Sequence, residues 1–311
     1  MSMKDFNFDF MRHRNPIGIA SIVLVLASVI LLATRGLNLG LDFSGGTLME
    51  FHFDQPTAIE PVRSHLQQEH FSDAVVVHFG AETEVLVRTR EQLNQQQGEE
   101  VAAELGQALG DPAELRRVEL VGPQIGQELR EDGGLGLLAA MLVVMLYVAL
   151  RFQYKFSVGA VLALVHDVII TLGFFSLFYW EFDLTVLAAI LALIGYSLND
   201  TIVVSDRIRE NFRAMRNVNP MGMVNLSLNQ VLGRTIITGL TTLLVLVVLY
   251  FFGGESLKNF ALALIIGIIV GTYSSIYVAS NLVLALNITK QDLMPPVELE
   301  EGEVQEEVPY S

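Results

Sequence analysis

Four ionisable side chains lie within long apolar segments of the sequence or at the entry to one: His166, Asp167, Asp200 and Arg234. A charged group at the centre of a bilayer costs at least about 2.5–3.5 kcal/mol on insertion scales, and such groups mark ion and proton pathways. A buried carboxyl group is suited to binding and releasing a proton, because burial favours its neutral form and a nearby guanidinium favours its charged form. These residue types therefore indicate proton transfer, with Asp200 as the central group.

Asp200 and Arg234 are expected at similar depth on neighbouring spans. At the rise of an α-helix, Asp200 lies about 10 Å from the cytoplasmic end of its span, and Arg234 begins the next span from the same side. Thr238 follows Arg234 by one helical turn, and Ser197 and Thr201 flank Asp200. These hydroxyl groups are suited to carrying a chain of water molecules beside the two charges.

Asp167 is expected about 16 Å into its span, in the middle of the hydrocarbon. His166 precedes it, and neighbouring helical side chains point about 100° apart, so the two are not expected to face one path. The candidate proton pathway comprises Asp200, Arg234, Thr238, Asp167, Ser197 and Thr201.

Two structural interpretations compete with this one. Asp200 and Arg234 would form a static ion pair that only fixes the packing of two helices, or Arg234 would extend to the cytoplasmic interface. His166 and Asp167 are equally compatible with a structural role.

The composition indicates a membrane protein. Hydrophobic residues make up 52% of the 311 residues, charged residues 17%, the mean hydropathy is +0.48 and the formal net charge is −15. This balance excludes a disordered chain and a strongly basic nucleic-acid binder, and it argues against an ordinary soluble enzyme. The chain has no cysteine, which excludes disulfides, a thiol nucleophile and a cysteine metal site.

Six stretches are long and apolar enough to cross a bilayer. They are Ile17–Thr34, Leu135–Leu150, Phe156–Trp180, Leu184–Val204, Ile236–Phe252 and Phe260–Leu286. The first is longer than a signal peptide and is expected to be retained. In the last, Gly267 and Gly271 have the spacing that lets helices approach closely.

Lysine and arginine near the span ends predict the orientation. They concentrate before span one, in the second and fourth connections and after span six: Lys4, Arg12, Arg14, Arg151, Lys155, Arg207, Arg209, Arg213, Arg216 and Lys290. Both termini are therefore expected in the cytoplasm. The predicted organisation is a cytoplasmic N-terminus (1–16), a first span (17–34), an outside domain (35–132), spans two to six (133–290) and an acidic, disordered cytoplasmic tail (291–311).

The outside domain has a mixed pattern that predicts a small α+β sandwich. Strands are expected over Leu37–Phe43, Thr47–Phe53, Ala74–Phe79, Val85–Thr89 and Glu114–Val121, and helices over Ala58–His70 and Glu91–Leu109. Gly45 and Gly46 are expected in a tight turn between the first two strands.

This domain carries no recognisable catalytic set. The spacing of His52, His65, His70 and His78 fits no metal-ligand pattern. The segment 42–47 lacks the lysine of a phosphate-binding loop and opens a strand. No metal, nucleotide or covalent cofactor is therefore expected, and the chain is not expected to be an enzyme.

Several segments in order resemble the SecF branch of the SecD/SecF family, membrane subunits of the bacterial Sec protein-export machinery. The resemblance runs from the first span to about Lys290. The matching segments are Gly40–Thr47, Val121–Leu129, His166-Asp167, Gly195–Val204, Asp206–Glu210 and Arg234–Gly239.

The resemblance implies a membrane fold of the resistance-nodulation-division (RND) type with a ferredoxin-like periplasmic domain. It implies the bacterial inner membrane, SecD as the partner that supplies six further spans, and association with the SecYEG channel and YajC. It also implies that proton flow, through Asp200, Arg234 and Thr238, drives late movement of the exported polypeptide.

Two other functions remain open at this point. An RND-type small-molecule exporter would share the proton chemistry, but the single insert of about 100 residues and the short connection Glu181–Asp183 argue against it. A membrane scaffold without transport would use the intramembrane charges only to select a partner helix.

Overall fold

The computed structural model describes residues 8–69, 71–72, 74–215 and 219–288. Several predictions lie outside these residues: the contributions of Lys4, Arg216 and Lys290 to the charge pattern, His70, and the tail 291–311.

The first membrane helix, α1, spans Arg14–Thr34 and is preceded by a 3-10 turn at Phe10–His13. A two-residue strand β1 (Asn38–Leu39) and a helical turn α2 (Leu41–Ser44) follow it. The predicted strand Leu37–Phe43 is therefore mostly wrong.

Gly45 and Gly46 join the α2 turn to a strand and do not form a turn between two strands. Both have positive φ angles, 72° and 136°. A Cβ atom on Gly46 would lie 2.2 Å from the Thr89 carbonyl oxygen, so only glycine lets the chain pass this close.

A small α+β domain occupies the chain between α1 and the second membrane helix. Its elements are β2 (Gly46–Phe53), α3 (Ile59–Glu69), β3 (Val75–Phe79), β4 (Ala81–Thr89), α4 (Gln95–Leu109) and β5 (Ala113–Val121). The strands form an antiparallel sheet in the order β3-β4-β2-β5, the β-α-β-β-α-β arrangement of ferredoxin-like domains. The helices pack on it through Leu66 and Leu105, which contribute to one core with Met49, Phe51 and Phe53.

Helix α4 begins four residues later than expected because Asn94 caps it. The Asn94 side chain accepts a hydrogen bond from the Gln97 amide, and the Gln97 side chain accepts one from the Asn94 amide. This reciprocal pair of hydrogen bonds, a capping box, fixes the point at which the helix begins. The helix ends at Gly110 in the left-handed conformation, as the sequence predicts.

The remaining five membrane helices are α5 (Pro123–Arg151), α6 (Tyr154–Phe178), α7 (Leu184–Ala214), α8 (Pro220–Phe252) and a last helix made of α9 (Glu255–Ser274), a π-helical turn (Ser275–Ala279) and α10 (Ser280–Ala285). Four of these five helices are longer than expected, and α6 has the expected length but begins and ends two residues earlier. Among the described residues, six helices are thus long and apolar enough to cross a membrane, which confirms the membrane-helical fold class.

The predicted boundary at 132/133 lies inside α5. Pro123 starts this helix after Gly122, and the helix continues through the glycine-rich segment 133–136. Packing explains the glycine at position 133, because a Cβ atom there would lie 2.7 Å from a methyl carbon of Leu187 on α7.

Helices α6 and α7 form the centre of the membrane region. In each of them, 56% of the residues in an 18-residue apolar stretch are buried. Small residues bring the other helices against them. A Cβ atom on Gly173 would lie 2.2 Å from the Ser28 hydroxyl on α1, and one on Gly267 would lie 2.5 Å from Leu193 on α7. The close approach that the Gly267–Gly271 spacing predicts is therefore present.

Candidate functional site in the membrane helices

Asp167 is the centre of a polar cluster that joins three helices. Its Oδ2 atom accepts hydrogen bonds from Ser197 Oγ on α7 at 2.5 Å and from Ser274 Oγ on α9 at 2.8 Å. Its Oδ1 atom lies 2.9 Å from His166 Nδ1. Asp167 is fully buried, so these donors replace the water that the carboxyl group loses.

Gly271 lets these helices approach closely enough for the cluster to form. A Cβ atom at this position would lie 3.2 Å from Ser197 Oγ and 3.5 Å from Asp167 Oδ2. Thr171, one turn beyond Asp167, donates to the Asp167 carbonyl oxygen and turns its own hydroxyl back to the helix. The cluster is therefore compact.

His166 extends the cluster toward α1. Its ring stacks on Tyr273 with a centroid distance of 6.0 Å, and the Tyr273 hydroxyl lies 2.6 Å from Ser21 Oγ. The interpretation that His166 and Asp167 cannot face one path is wrong, because the ring folds back onto the neighbouring carboxyl group.

Asp200 lies on the same helix as Ser197 but is bound differently. Its Oδ1 atom accepts one hydrogen bond, from Thr235 Oγ1 on α8 at 2.8 Å. Its Oδ2 atom is buried and has no hydrogen-bond partner among the described residues. A buried carboxylate oxygen without a donor is unfavourable, whereas a protonated carboxyl group is tolerated there. Asp200 therefore has an oxygen at which a proton can be held.

Arg234 is the residue directly before Thr235 on α8. Its side chain is exposed on the outer face of α8, and no ion pair within 4.0 Å joins it to Asp200 in the described part of the chain. The expected direct pairing is thus replaced by the Thr235 hydrogen bond. Thr238 is also exposed and donates to the carbonyl oxygens of Arg234 and Thr235.

The two hydroxyl residues beside Asp200 have other partners. Ser197 donates to Asp167, and Thr201 Oγ1 lies 2.8 Å from Ser275 Oγ in the π-helical turn. The structure therefore brings Asp167 and Ser197 together, places Asp200 with Thr235, and places Arg234 and Thr238 on an outward face.

Thr235, Ser274, Ser275 and Tyr273 were missed as site residues by sequence reasoning. The sequence contains one signal for Ser274 and Ser275: each hydroxyl group lies in an apolar span beside another small residue, and there it needs a polar partner.

The outer end of α7 is attached to the α+β domain. Strand β1 pairs in parallel with β6 (Glu181–Phe182), directly before α7. Arg88 Nη1 on β4 lies 2.6 Å from Glu181 Oε2, and Asp42 Oδ2 accepts a hydrogen bond from the Leu184 amide at 3.0 Å. Burial raises the pKa of Glu181, and the nearby Arg88 opposes this effect only in part.

Two histidines of the α+β domain make local contacts. His52 Nδ1 lies 2.7 Å from Glu84 Oε1, and His78 Nε2 lies 2.8 Å from the Thr57 carbonyl oxygen. Within the described residues no group of three or more histidine, aspartate or glutamate side chains is arranged to hold a metal ion.

Comparisons with known proteins place this arrangement in a family. The family model "Protein export membrane protein SecD/SecF, C-terminal" matches residues 101–289, and the "SecD/SecF GG Motif" model matches residues 30–57. The protein translocase subunit SecF of Pseudomonas aeruginosa is 48% identical over 297 residues, covering 95% of this chain and 97% of that relative. The SecF subunit of Vibrio alginolyticus is 48% identical over 303 residues, covering 96% of each.

Solved structures agree with these matches. The crystal structure of SecDF from Thermus thermophilus, described as a translocon-associated membrane protein, matches with a TM-score of 0.81 and 39% identity over 92% of this chain. A super-membrane-facing form of SecDF matches with a TM-score of 0.73. This chain spans 39% of the length of each SecDF chain. With sequence relatives matched over nearly their whole length, the chain belongs to the SecF family of protein translocase subunits, multi-pass membrane components of protein export.

Proposed function

We propose that this subunit couples proton movement through the bacterial inner membrane to late steps of protein export. In this proposal it works with SecD beside the SecYEG channel and YajC, on a polypeptide that is crossing the membrane. Both termini lie in the cytoplasm, in agreement with the lysine and arginine pattern, and the α+β domain lies in the periplasm.

The observation that carries the proposal is the state of Asp200. It is 8% exposed, it has a single hydrogen-bond donor, and its second oxygen has none among the described residues. A carboxyl group in this setting changes its protonation when a charge or water approaches it. Each proton that moves down the membrane potential releases roughly 2.3 kcal/mol per 100 mV, which is the energy available for the work.

Arg234 and Thr238 have the roles of the approaching charge and its hydroxyl neighbour. Both are exposed on α8, on a surface that also exposes Ile237 and Leu244. A guanidinium in contact with lipid is unfavourable, so this face is suited to a partner subunit. The SecDF structures, in which the matched region is 39% of one chain, support SecD as that partner.

Asp167, at the centre of its polar cluster, provides a second carboxyl group on the proposed pathway. Ser197 and Ser274 hold it on α7 and α9, and Thr201 ties α7 to the π-helical turn. A change of charge at Asp200 would act on α7, which also contacts this cluster. Asp200 lies on α7 and Asp167 is hydrogen-bonded to it through Ser197, so both carboxyl groups would sense movement of this helix.

The attachment of the α+β domain provides a route from proton movement to work outside. Asp42 and Glu181 hold the domain to the start of α7, the helix that carries Asp200. In the proposed cycle, movement of α7 displaces this domain, which pulls or releases the polypeptide.

The test is export into inner-membrane vesicles that contain the complete complex. Asp200→Asn keeps the size and the Thr235 hydrogen bond but removes proton binding, and it should abolish the part of export that depends on the proton gradient while leaving assembly with SecD intact. Asp132→Asn, at an exposed position of α5, is the matched control and should export normally. Normal gradient-dependent export by the Asp200→Asn complex would contradict the proposal.

Exchange of the two charges separates proton coupling from a structural role. If Asp200→Arg with Arg234→Asp restored export, a structural ion pair would be favoured and proton transfer at Asp200 would be excluded.

A further inference from the structure

Three arginine side chains converge on one cavity at the membrane surface. A cavity of about 670 Å³ lies where α5 and α7 end, and it is lined by Arg151, Asp206, Arg209, Glu210, Arg213 and Ala214. By the alternation of the helices, this is the end of the bundle at which α1 begins. The lining carries three positive and two negative side chains, so it has an excess of positive charge.

Both acidic members of the lining form ion pairs, one with an arginine of the lining and one with an arginine outside it. Asp206 Oδ1 lies 3.2 Å from Arg209 Nη1. Glu210 Oε2 lies 2.5 Å from Nη1 of Arg207, a residue outside the lining. The charge of Glu210 is therefore offset from outside, and the cavity keeps a net attraction for an anion.

Phe152 orients two of the guanidinium groups. The guanidinium carbons of Arg151 and Arg209 lie 5.4 Å and 5.1 Å from the centre of its ring, and Phe152 itself is buried. The Arg209 side chain is 12% exposed, and its Nε atom is buried without a hydrogen-bond partner in the described residues. Ordered guanidinium groups with free donor capacity are suited to phosphate oxygens.

The surface beside the cavity fits acyl chains. Leu142, Leu146 and Leu150 follow each other at four-residue intervals along α5 and are 64%, 59% and 81% exposed. This apolar stripe ends directly at Arg151. Tyr147 and Tyr154 are also exposed near this end, as is usual for aromatic residues at the level of lipid headgroups.

We propose that this cavity binds the phosphate headgroup of an anionic phospholipid whose acyl chain lies along the leucine stripe of α5. Arg151, Arg209 and Arg213 contact the phosphate in this assignment. The site is separate from the carboxyl groups of the proton pathway and does not depend on the proposed function.

Native mass spectrometry of the full chain, titrated with phosphatidylglycerol or with phosphatidylcholine of the same acyl chains, tests the assignment. Phosphatidylglycerol should bind preferentially, and Arg209→Gln should weaken its binding about fivefold, the effect of one arginine near a lipid surface. Arg209→Lys, which keeps the charge, should recover most of the binding and thereby exclude misfolding. Arg12→Gln, an exposed arginine at the same end of the bundle, is the matched control and should bind as the wild type does.

Four outcomes would overturn the proposal. They are equal binding of phosphatidylcholine, an equal loss in the Arg12→Gln chain, binding of inorganic phosphate but not of the lipid, and lipid binding that requires removal of the acidic segment 291–311. The last result would assign the cavity to the chain's own tail.

Discussion

Asp167 and Asp200 are both buried carboxyl groups, but their hydrogen bonds give them different properties. Asp167 has Ser197, Ser274 and His166 around it, whereas Asp200 has only Thr235 among the residues that the structure describes. A fully bonded group is held in one geometry, and a partly bonded group responds to its surroundings. We therefore expect substitutions around Asp167 to change stability most and substitutions around Asp200 to change export most.

Ser197→Ala should lower the free energy of unfolding by about 1–3 kcal/mol, because it leaves a buried carboxyl oxygen with one donor fewer. Thermal unfolding of the purified chain in detergent measures the change. Ser256→Ala, at an exposed position of α9, is the control and should have little effect. Equal melting temperatures for the wild type and Ser197→Ala would show that the 2.5 Å contact contributes nothing to stability.

Thr235→Val keeps the side-chain volume and removes the only hydrogen-bond donor to Asp200 in the described structure. It should impair gradient-dependent export severalfold. Thr238→Val removes a hydroxyl group that, among the described residues, is bound only to its own helix, so it distinguishes the contributions of the two threonines to export. Export assays on vesicles with each variant give the comparison. A larger loss with Thr238→Val would shift the proton path from the buried pair to the outward face of α8.

At the scale of helices, close packing depends on individual glycines. Gly173→Ala should destabilise the chain by about 1–3 kcal/mol, because the new methyl group would lie 2.2 Å from the Ser28 hydroxyl and 3.0 Å from the Ser28 Cα atom on α1. Gly136→Ala, where the methyl group meets nothing within 4 Å, should be neutral or stabilising by about 0.5–1 kcal/mol. Melting temperatures of the two variants should move in opposite directions, and a shift of the same sign would contradict the α1–α6 packing.

The attachment of the α+β domain should depend on pH through Glu181. Because burial raises the pKa of Glu181, the folded protein takes up a proton at a pH at which the unfolded chain has released it. The contribution of this group to the free energy of unfolding therefore increases as pH falls through its folded pKa toward the ordinary glutamate value.

Glu181→Gln removes this titration, so its stability relative to the wild type should be highest at alkaline pH and should decline on acidification. Melting temperatures of both chains across that range give the difference. Glu255→Gln, an exposed glutamate at the start of α9, should show no such trend. A constant difference between wild type and Glu181→Gln would show that Glu181 does not titrate in this range.

For the whole molecule, the sequence predicts the number of spans because apolar length alone determines them. It also predicts the α+β class of the inserted domain, since its strands and helices have distinct periodicities. It misplaces the start of α5, because apolar length marks only the part of the helix that crosses the membrane, whereas the helix itself begins at Pro123. It identifies Asp200 by its cost in the bilayer, but not Thr235, because a threonine on a neighbouring helix is recognised only when the packing is known.

The outward face of α8 should form the main contact with SecD. Because the natural chain has no cysteine, a single Thr241→Cys substitution gives a unique cross-linking site on this face, where Thr241 is exposed. It should cross-link to SecD in membranes, whereas Ile22→Cys on the exposed side of α1 should react only with lipid-soluble reagents. The reverse pattern would place the partner on α1.

The π-helical turn at Ser275–Ala279 sets which face of the following helix, α10, packs against the rest of the bundle. Such a turn accommodates one residue more than an α-helical turn, and each residue of an α-helix accounts for about 100° of rotation. Excising a single residue there would return the turn to a regular α-helix and keep Ser280–Ala285 facing α6, whereas the same deletion within α9 would rotate them by about 100°. Homologous chains that align without gaps elsewhere but are one residue shorter at this turn can therefore keep the same packing at the end of the bundle, so a one-residue indel has its smallest effect at this position.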